Sequence, residues 1–255
     1  MKAIACFTFD NMGEAAEIGS GQLAEPLHGG PPASLERGYP NLFALLARRG
    51  IRASFFVEGW NGDHHPDAVG AIVEHGHELG MHGWVHEQWN GLDASAEAAL
   101  AERATAALER AAGMRPRGFR APGGARSPHT EAILRSLGYT HDASLGNGMQ
   151  PQMLPSGLAQ VPFVWPCVDG FYYLRSVPAD PIEVRDAWLG ALERVAERGG
   201  LFLTICHAFL TGIDDARLAA LDAVMQAAVR DPRIVVCTVG EIAAYISQHG
   251  TLPEG

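Results

Sequence analysis

Residues 76–86 read Gly-His-Glu-Leu-Gly-Met-His-Gly-Trp-Val-His. The run Glu78–Met81 is typical of a short buried strand, and it ends directly before His82, with His86 four residues further on. Two imidazoles at this spacing can bind one metal ion if the segment makes a helical turn. Coincidence could also produce this spacing in a chain with 11 histidines. The strand that precedes the pair is the feature that favours a site.

Short apolar runs alternate with amphipathic segments on both sides of this stretch. The patterns predict strands at Ala3–Phe9, Ala53–Val57, Glu78–Met81, Gly118–Arg120, Tyr139–His141, Gln160–Val164, Leu201–Cys206 and Ile234–Cys237. They predict helices at Leu35–Arg49, Pro66–His75, Ala94–Ala112, Pro128–Leu137, Pro181–Arg198, Asp214–Val229 and Val239–His249. Repeated strand–helix units favour parallel pairing. We therefore expect an α/β fold in a single domain, residues 1–255, as a closed or nearly closed β/α barrel, with an open doubly wound sheet as the alternative.

Two segments lack a helical or strand period. Asn11–Ser34 and Gly146–Leu158 are rich in glycine and proline, so we expect long loops. Long loops in compact domains are usually functional or mobile. The first loop could cover an active site as a lid or form the contact of a homo-oligomer.

Composition and charge exclude several classes of partner. The formal charge is −10, and no run of Lys and Arg exists, so we expect neither a nucleic acid nor an anionic membrane surface as a partner. No apolar run reaches the ~18 residues of a membrane span. The amino terminus lacks the apolar region of a signal peptide, and the four cysteines are scattered. These features predict a cytoplasmic protein with reduced thiols.

Ionisable and polar side chains collect just past the carboxyl ends of the predicted strands. They are Asp10, Asn11, Glu58, His82, His86, Arg120, Asp142, Trp165, Asp169 and His207. The opposite strand ends carry Arg52, Arg117 and Arg233, an ordinary solvated set. Barrel enzymes place their chemistry at the carboxyl ends of the strands, so this asymmetry predicts an active site there.

Four motifs resemble the series that defines the polysaccharide deacetylases (carbohydrate esterase family 4, with the NodB homology domain). They are Thr8-Phe9-Asp10-Asn11, the stretch Gly76–His86, Phe119-Arg120-Ala121-Pro122-Gly123-Gly124, and Leu203-Thr204-Ile205-Cys206-His207. Each motif is weak by itself, but the four occur in the family's order. The resemblance implies a distorted (β/α)7 barrel, a divalent metal that is usually zinc, and hydrolysis of an N-acetyl group or a similar amide.

The resemblance also implies roles for the charged residues. Asp10 matches the general base and Arg120 the residue that keeps this carboxylate charged. His207 matches the histidine that protonates the leaving amine, and we expect Asp142 to be the carboxylate that holds it cationic. The two metal-binding imidazoles correspond to His82 and His86.

Asn11 departs from the family's pattern, which has a second aspartate at this position as the third metal ligand. An amide oxygen binds a dication more weakly than a carboxylate does. Three outcomes stay open. Asn11 binds the metal as an amide, Glu14 supplies the third ligand from the loop, or the site binds no metal.

A second departure concerns the substrate. The segment Val161–Asp169 resembles the allantoinase-like and cyclic-imide hydrolase branch of the family more than the chitin or peptidoglycan deacetylases. By this resemblance we expect the following residues to contact a small-molecule or short glycan substrate: Trp84, Pro122, Trp165, Asp169 and Tyr172.

The expected activity is hydrolysis of a non-peptide C–N bond, releasing an acyl group from an N-acylated amino sugar or a related small metabolite. The alternatives are a cyclic amide or ureide hydrolase and a barrel that binds without catalysis. No dinucleotide, Walker or G-x-S-x-G motif is present. Cys206 beside His207 could suggest a thiol nucleophile. Adjacent strand residues point to opposite faces, however, so we expect Cys206 to face the helices.

Overall fold

The computed structural model describes residues 3–27, 30–250 and 252. Strands β1 to β9 span Ala3–Asp10, Ser54–Val57, Glu78–Met81, Gly118–Phe119, His141–Asp142, Gln152–Met153, Ala159–Gln160, Gly200–His207 and Ile234–Val236. Helices α1 to α10 span Ala15–Gly19, Tyr39–Arg49, Trp60–His64, Pro66–Glu74, Ala94–Ala112, Thr130–Ser136, Asp169–Tyr173, Pro181–Arg198, Asp215–Arg230 and Val239–His249. Short π-helical segments precede α2 and follow β8, at Ser34–Gly38 and Ala208–Gly212.

The strands form one curled sheet in the order β6-β7-β5-β4-β3-β2-β1-β8. All neighbouring pairs are parallel except β6 and β7. Strand β9 pairs with the first residues of β1, and β2 pairs with the last ones. A parallel bridge between Val168, in the segment that follows β7, and Ile205 links that segment to β8. The expected distorted β/α barrel in a single domain is therefore confirmed.

Side-chain alternation along the two longest strands separates two apolar layers. Ile4 and Cys6 of β1 pack with Ile205 of β8 in the cluster inside the curl. Phe7 of β1 and Cys206 of β8 pack instead in the larger cluster that includes the helices. Successive side chains of a strand point to opposite faces, so this period of two places Thr8, Asp10 and His207 on the inner side. Cys206 faces the helices, as the sequence predicted.

The regular helices follow from standard end signals. Asp93, Asp180 and Asp214 accept backbone N–H bonds at the first turns of α5, α8 and α9. Thr238 and Glu241 form a reciprocal capping box at the start of α10. The predicted bounds of Ala94–Ala112, Pro181–Arg198 and Val239–His249 agree with the structure.

The differences from the predicted elements lie in short segments. The expected loop Asn11–Ser34 contains α1, and the expected loop Gly146–Leu158 contains β6. The predicted strand Gln160–Val164 is regular only at its start. Pro162 has no N–H to donate, although Val161 and Phe163 still donate to the neighbouring strand region.

No helix among the residues that the structure describes is long and apolar enough to cross a membrane.

Candidate active site

Asp10 and Arg120 form a buried ion pair at the end of β1. Arg120 Nη1 lies 2.6 Å from Asp10 Oδ1 and 2.8 Å from the hydroxyl of Thr8, while its Nε donates to the carbonyl of Ala143 at 3.0 Å. Burial opposes ionisation of Asp10, but the adjacent Arg120 guanidinium, together with His82 and His207, outweighs it and lowers the pKa of this carboxyl. Asp10 is therefore an ionised carboxylate held in one direction, as a general base requires.

His82 and His86 lie on a tight turn, not on the helical turn that their spacing suggested. The turn follows β3, and both Gly83 (φ 77°) and His86 (φ 62°) adopt left-handed backbone conformations. The two imidazole centroids are 5.0 Å apart. His82 Nδ1–H donates to the carbonyl of Arg120 at 2.8 Å, which leaves Nε2 as a free acceptor. Burial lowers the pKa of His82 to about 3 and also lowers the pKa of His86, so both rings are neutral.

Glu87 stabilises this turn by accepting backbone hydrogen bonds. Its carboxylate takes the N–H groups of Trp84 at 3.0 Å and of Val85 at 2.8 Å. Trp84 itself is buried, and the guanidinium of Arg103 covers its ring at 3.6 Å. The expectation that Trp84 contacts substrate is therefore wrong, because the ring packs away from the cavity.

His207 is paired with Asp169 and not with Asp142. His207 Nδ1–H donates to Asp169 Oδ1 at 2.6 Å, and the backbone N–H of His207 donates to Asp169 Oδ2 at 2.8 Å. Thr211 adds a third donor to the same carboxylate. Burial disfavours the imidazolium, but the Asp169 carboxylate outweighs it and raises the pKa of His207. Asp169 is fully buried, so its expected contact with substrate is wrong as well.

Asp142 has a different set of partners at the end of β5. It pairs with Arg126 Nη1 at 2.7 Å and accepts hydrogen bonds from the hydroxyl and the N–H of Ser144. The Ser144 hydroxyl in turn accepts from the N–H of Ala121 at 2.8 Å. Burial raises the pKa of Asp142 against the effect of Arg126. Asp142 therefore supports the loop after β4 and does not reach His207.

Asn11 is fixed by Glu58, a residue for which the sequence indicated only a position at a strand end. Asn11 Nδ2 donates to Glu58 Oε1 at 2.5 Å, and the N–H of Met12 donates to Oε2 at 3.0 Å. Tyr39 donates its hydroxyl to the carbonyl of Asn11 at 3.0 Å. Burial raises the pKa of Glu58 to about 8, although N–H donors to both of its oxygens favour the anion. Asn11 has a left-handed backbone conformation (φ 65°). Glu58 therefore holds its amide nitrogen, and Tyr39 holds its backbone carbonyl.

Glu14 does not supply a ligand to the two imidazoles. Its carboxylate is buried, lies 2.8 Å from His65 Nε2, and accepts the N–H of Leu27 at 3.3 Å. The alternative in which Glu14 replaces the missing aspartate is therefore wrong.

A cavity of about 330 Å³ brings the reactive groups together. It is lined by Asp10, His82, His86, Arg120, Ala121, Gly123, Gly124, Phe163, Trp165, Val168, Gly170, Phe171, Leu174, Ile205 and His207. Of the expected substrate contacts, Trp165 lies in this lining. Pro122 lines an adjoining depression next to His86. Tyr172 points away, with its hydroxyl donating to the carbonyl of Pro166 at 3.1 Å.

A larger cavity of about 670 Å³ lies at the other end of the strands. Its wall includes Arg52, Arg117, Glu78 and His141. Arg52 is paired with Glu241, and Glu78 lies 2.9 Å from His141 Nε2. These are ordinary polar contacts between elements of the fold. The larger of the two cavities is therefore not the one that collects the candidate catalytic residues.

The chain belongs to the polysaccharide deacetylase family. The family's sequence model matches residues 5–141, which is more than half of the 255 residues. The matched part contains Asp10, both histidines of the turn and Arg120, while His207 lies beyond it. The resemblance stated from the four motifs is thus confirmed.

Among curated proteins, the chain is similar to the peptidoglycan deacetylase-like protein FGM2 of Gibberella zeae. The two are 32% identical over 123 residues, which cover 47% of this chain and 36% of that protein. The chain therefore spans about a third of the length of this relative.

Two solved structures cover the whole chain. One, described as a polysaccharide deacetylase from Mycobacterium smegmatis, has 26% identity and a TM-score of 0.89, and the alignment covers 93% of it. The other, the PuuE allantoinase, has 21% identity and a TM-score of 0.80, again with 93% of that chain covered. The second likeness shows a shared fold.

Deacetylases of this family are generally metal-dependent, so the donor set can be compared with that requirement. His82 and His86 are neutral imidazoles, the form that binds a metal, and His82 keeps Nε2 free through its bond to a carbonyl. Within residues 3–27, 30–250 and 252, no three His, Cys, Asp or Glu side chains form a group that could hold a metal ion. The residues fit a divalent cation if the two imidazoles are joined by the amide of Asn11, which lines a depression together with His86.

Proposed function

We propose that this chain hydrolyses a non-peptide C–N bond of the amide type in a small molecule or short glycan, with a divalent metal, zinc in the first instance, held by His82, His86 and Asn11. One observation carries the proposal. The Asp10–Arg120 pair and the Asp169–His207 pair face the same cavity with complementary protonation states. A base kept ionised opposite an acid kept protonated is the arrangement that amide hydrolysis needs.

Asp10 is the group that takes a proton from the attacking water as the water oxygen adds to the amide carbon. Arg120 holds the carboxylate in its ionised form and fixes its direction. A divalent cation in this site would polarise the amide carbonyl and lower the pKa of water.

His207 supplies the second proton transfer. Its Nδ1 is bonded to Asp169, so Nε2 carries the proton that can go to the departing nitrogen as the C–N bond breaks. The products are a carboxylic acid and an amine, or one ring-opened molecule if the substrate is cyclic. A barrel that only binds ligand has no use for both a base and an acid.

A panel of amides tests this function. The purified chain is stripped with a chelator and reloaded with Zn²⁺. It is then assayed for amine release from N-acetylglucosamine oligomers and simple N-acyl amines, and for ring opening of cyclic imides and cyclic ureides. We expect metal-restored turnover of at least one class. The absence of turnover and of metal binding would favour the non-catalytic barrel.

The substitution Asp10→Asn tests the role of the base. We expect turnover to fall by about 10²–10⁴-fold while zinc content stays unchanged, because a neutral amide cannot take the proton. Asp67→Asn, on the exposed face of α4, is the matched control and should keep wild-type turnover. Loss of zinc from Asp10→Asn would instead make Asp10 a ligand.

Two further properties remain proposals. The cysteines Cys6, Cys167, Cys206 and Cys237 are free thiols, which supports a reducing compartment and hence a cytoplasmic location. A homo-oligomer is compatible with the exposed apolar side chains near the cavity. Analytical ultracentrifugation would measure the oligomeric state in solution.

A further inference from the structure

The cavity beside Asp10 and His207 has one polar side and one apolar side. We propose that the apolar side receives a hydrocarbon or aromatic group attached near the scissile nitrogen, so the preferred substrate is an amide with an apolar amine portion and not a polyhydroxylated sugar. This inference rests on the proposed function and narrows its substrate class.

The ionisable side chains that line the cavity are the same ones to which the proposed function assigns catalytic or metal-binding roles. Among the lining residues that the structure describes, the ionisable ones are Asp10, His82, His86, Arg120 and His207. Among the other described lining residues, the indole N–H of Trp165 is a side-chain donor, and none is a Ser, Thr, Asn, Gln, Tyr, Lys or Glu that could bond to sugar hydroxyls. A sugar ring carries several hydroxyls, and those that do not reach Trp165 would lose their water in this wall without gaining a side-chain partner, which costs binding free energy.

The apolar side is built from large side chains that remain exposed. Leu174 is 65% exposed, Trp165 47% and Phe171 40%, and all three line the cavity. Phe209, 38% exposed, lines the adjoining depression together with His207 and Leu174. Contiguous exposed apolar side chains at the mouth of a site are typical of a surface that an apolar group covers.

This apolar side lies next to His207, the proposed proton donor to nitrogen. The Phe209 ring centroid is 5.3 Å from the His207 ring centroid. Gly170 lies in α7 and Leu174 directly follows this helix, whose Asp169 carboxylate holds His207. The group covered by Leu174 and Phe209 is therefore the one on the leaving nitrogen.

The aromatic members of this side are held in fixed orientations. Trp165 packs edge-on against Phe163 with ring centroids 5.1 Å apart. Arg175 covers the ring of Phe171 at 4.5 Å. A surface fixed before binding selects shape as well as polarity.

Two acetamides isolate the effect of the hydroxyls. N-cyclohexylacetamide and N-acetylglucosamine share the acetyl group and a six-membered ring, but the first has no hydroxyls. In the metal-loaded wild-type protein we expect kcat/KM for the cyclohexyl amide to exceed that for the sugar by about 10-fold or more. A higher kcat/KM for the sugar overturns the inference.

A pair of variants ties the preference to this surface. Leu174→Ser should lower kcat/KM for N-cyclohexylacetamide by about 10-fold and leave the value for N-acetylglucosamine within about 2-fold, as expected for one lost apolar contact. Val177→Ser removes a side chain that is 78% exposed, outside the described cavity lining, and should change neither value. Equal losses for both substrates in Leu174→Ser overturn the inference.

Binding separates this inference from the function on which it rests. If no amide is hydrolysed but N-cyclohexylacetamide binds in ligand-observed NMR and Leu174→Ser weakens it, the proposed function fails and the apolar site stands. If the cyclohexyl amide shows no binding, the inference fails. If Leu174→Ser converts a dimer into a monomer in sedimentation, a second copy of the chain covers this surface and the inference also fails.

Discussion

Asn11 is the residue at which the resemblance to the deacetylases leads us to expect a metal-binding aspartate. Its amide nitrogen is taken by Glu58, so its oxygen is the remaining atom that could face a cation. Because Glu58 is fully buried, the amide is held by a group that solvent does not compete with. If a metal ion binds here, its affinity therefore depends on Glu58, which orients Asn11 but would not itself contact the metal.

Glu58→Gln tests this dependence. One oxygen becomes an NH₂ group facing backbone and side-chain donors, so we expect a loss of about 1–3 kcal/mol in the free energy of unfolding. We also expect zinc affinity to fall by about 10–100-fold, the usual effect of losing a group that orients a ligand. Urea unfolding and a competitive zinc chelator measure the two effects.

Glu97→Gln is the matched control for that variant. Glu97 is equally buried in α5 and accepts hydrogen bonds from Trp89, Ser127 and Thr130, but it does not line the described cavity. The Glu97→Gln variant should lose a similar free energy of unfolding and keep the zinc affinity of the wild type. Equal zinc affinity in Glu58→Gln and wild type would contradict the role given to Glu58.

At the scale of elements, the turn after β3 determines how the two imidazoles meet. Gly83 has φ 77°, and a Cβ there would lie 3.0 Å from Glu87 Oε2 and 3.1 Å from Pro122 Cγ. Both the backbone conformation and the close approach of Glu87 therefore require glycine.

Gly83→Ala should lower stability by about 1–2 kcal/mol from the left-handed backbone alone, and should also weaken zinc binding because Glu87 must move. Gly50→Ala carries the same backbone cost at the end of α2, where a Cβ would meet nothing within 4 Å. That control should lose stability without losing zinc affinity. If both variants bind zinc like wild type, the turn does not set the geometry of the histidines.

The sequence predicted this turn's residues but not its conformation. The spacing of His82 and His86 suggested a helical turn, whereas the two left-handed residues Gly83 and His86 produce the convergence. Helices α1 and α7 escaped prediction because five residues are too short to show a helical period.

At the scale of the whole molecule, the proposed base and the proposed acid come from distant parts of the chain. Asp10 is at the end of β1 and pairs across the sheet with Arg120, while His207 is at the end of β8 and depends on α7. Parallel strands place all these ends at one edge, which is why residue type and strand order predicted the set. The curl of the sheet then determines which of these side chains are in contact with one another.

The sequence alone did not identify which carboxylate, Asp142 or Asp169, pairs with His207. Both carboxylates follow predicted strands and both are fully buried. The bridge between Val168 and Ile205 brings Asp169 next to β8, whereas Asp142 is taken by Arg126. This contact joins segments 37 residues apart and has no local pattern.

We propose that Asp10 acts as an ionised base and His207 as a protonated acid, and the pH dependence of kcat/KM tests these two protonation states most directly. The lowered pKa of Asp10 places the acidic limb below the ordinary range of an aspartate. The raised pKa of His207 places the alkaline limb above the ordinary range of a histidine. Activity should persist between these limbs, where Asp10 is ionised and His207 is protonated.

The measurement compares wild type with Asp169→Asn and Asp142→Asn. Removing the Asp169 charge lowers the pKa of His207, so the alkaline limb should move to lower pH while the acidic limb stays in place. Asp142→Asn removes an equally buried carboxylate that does not contact His207, and its alkaline limb should stay at the wild-type position. An alkaline limb that does not move in Asp169→Asn, or that moves equally in Asp142→Asn, would contradict the account.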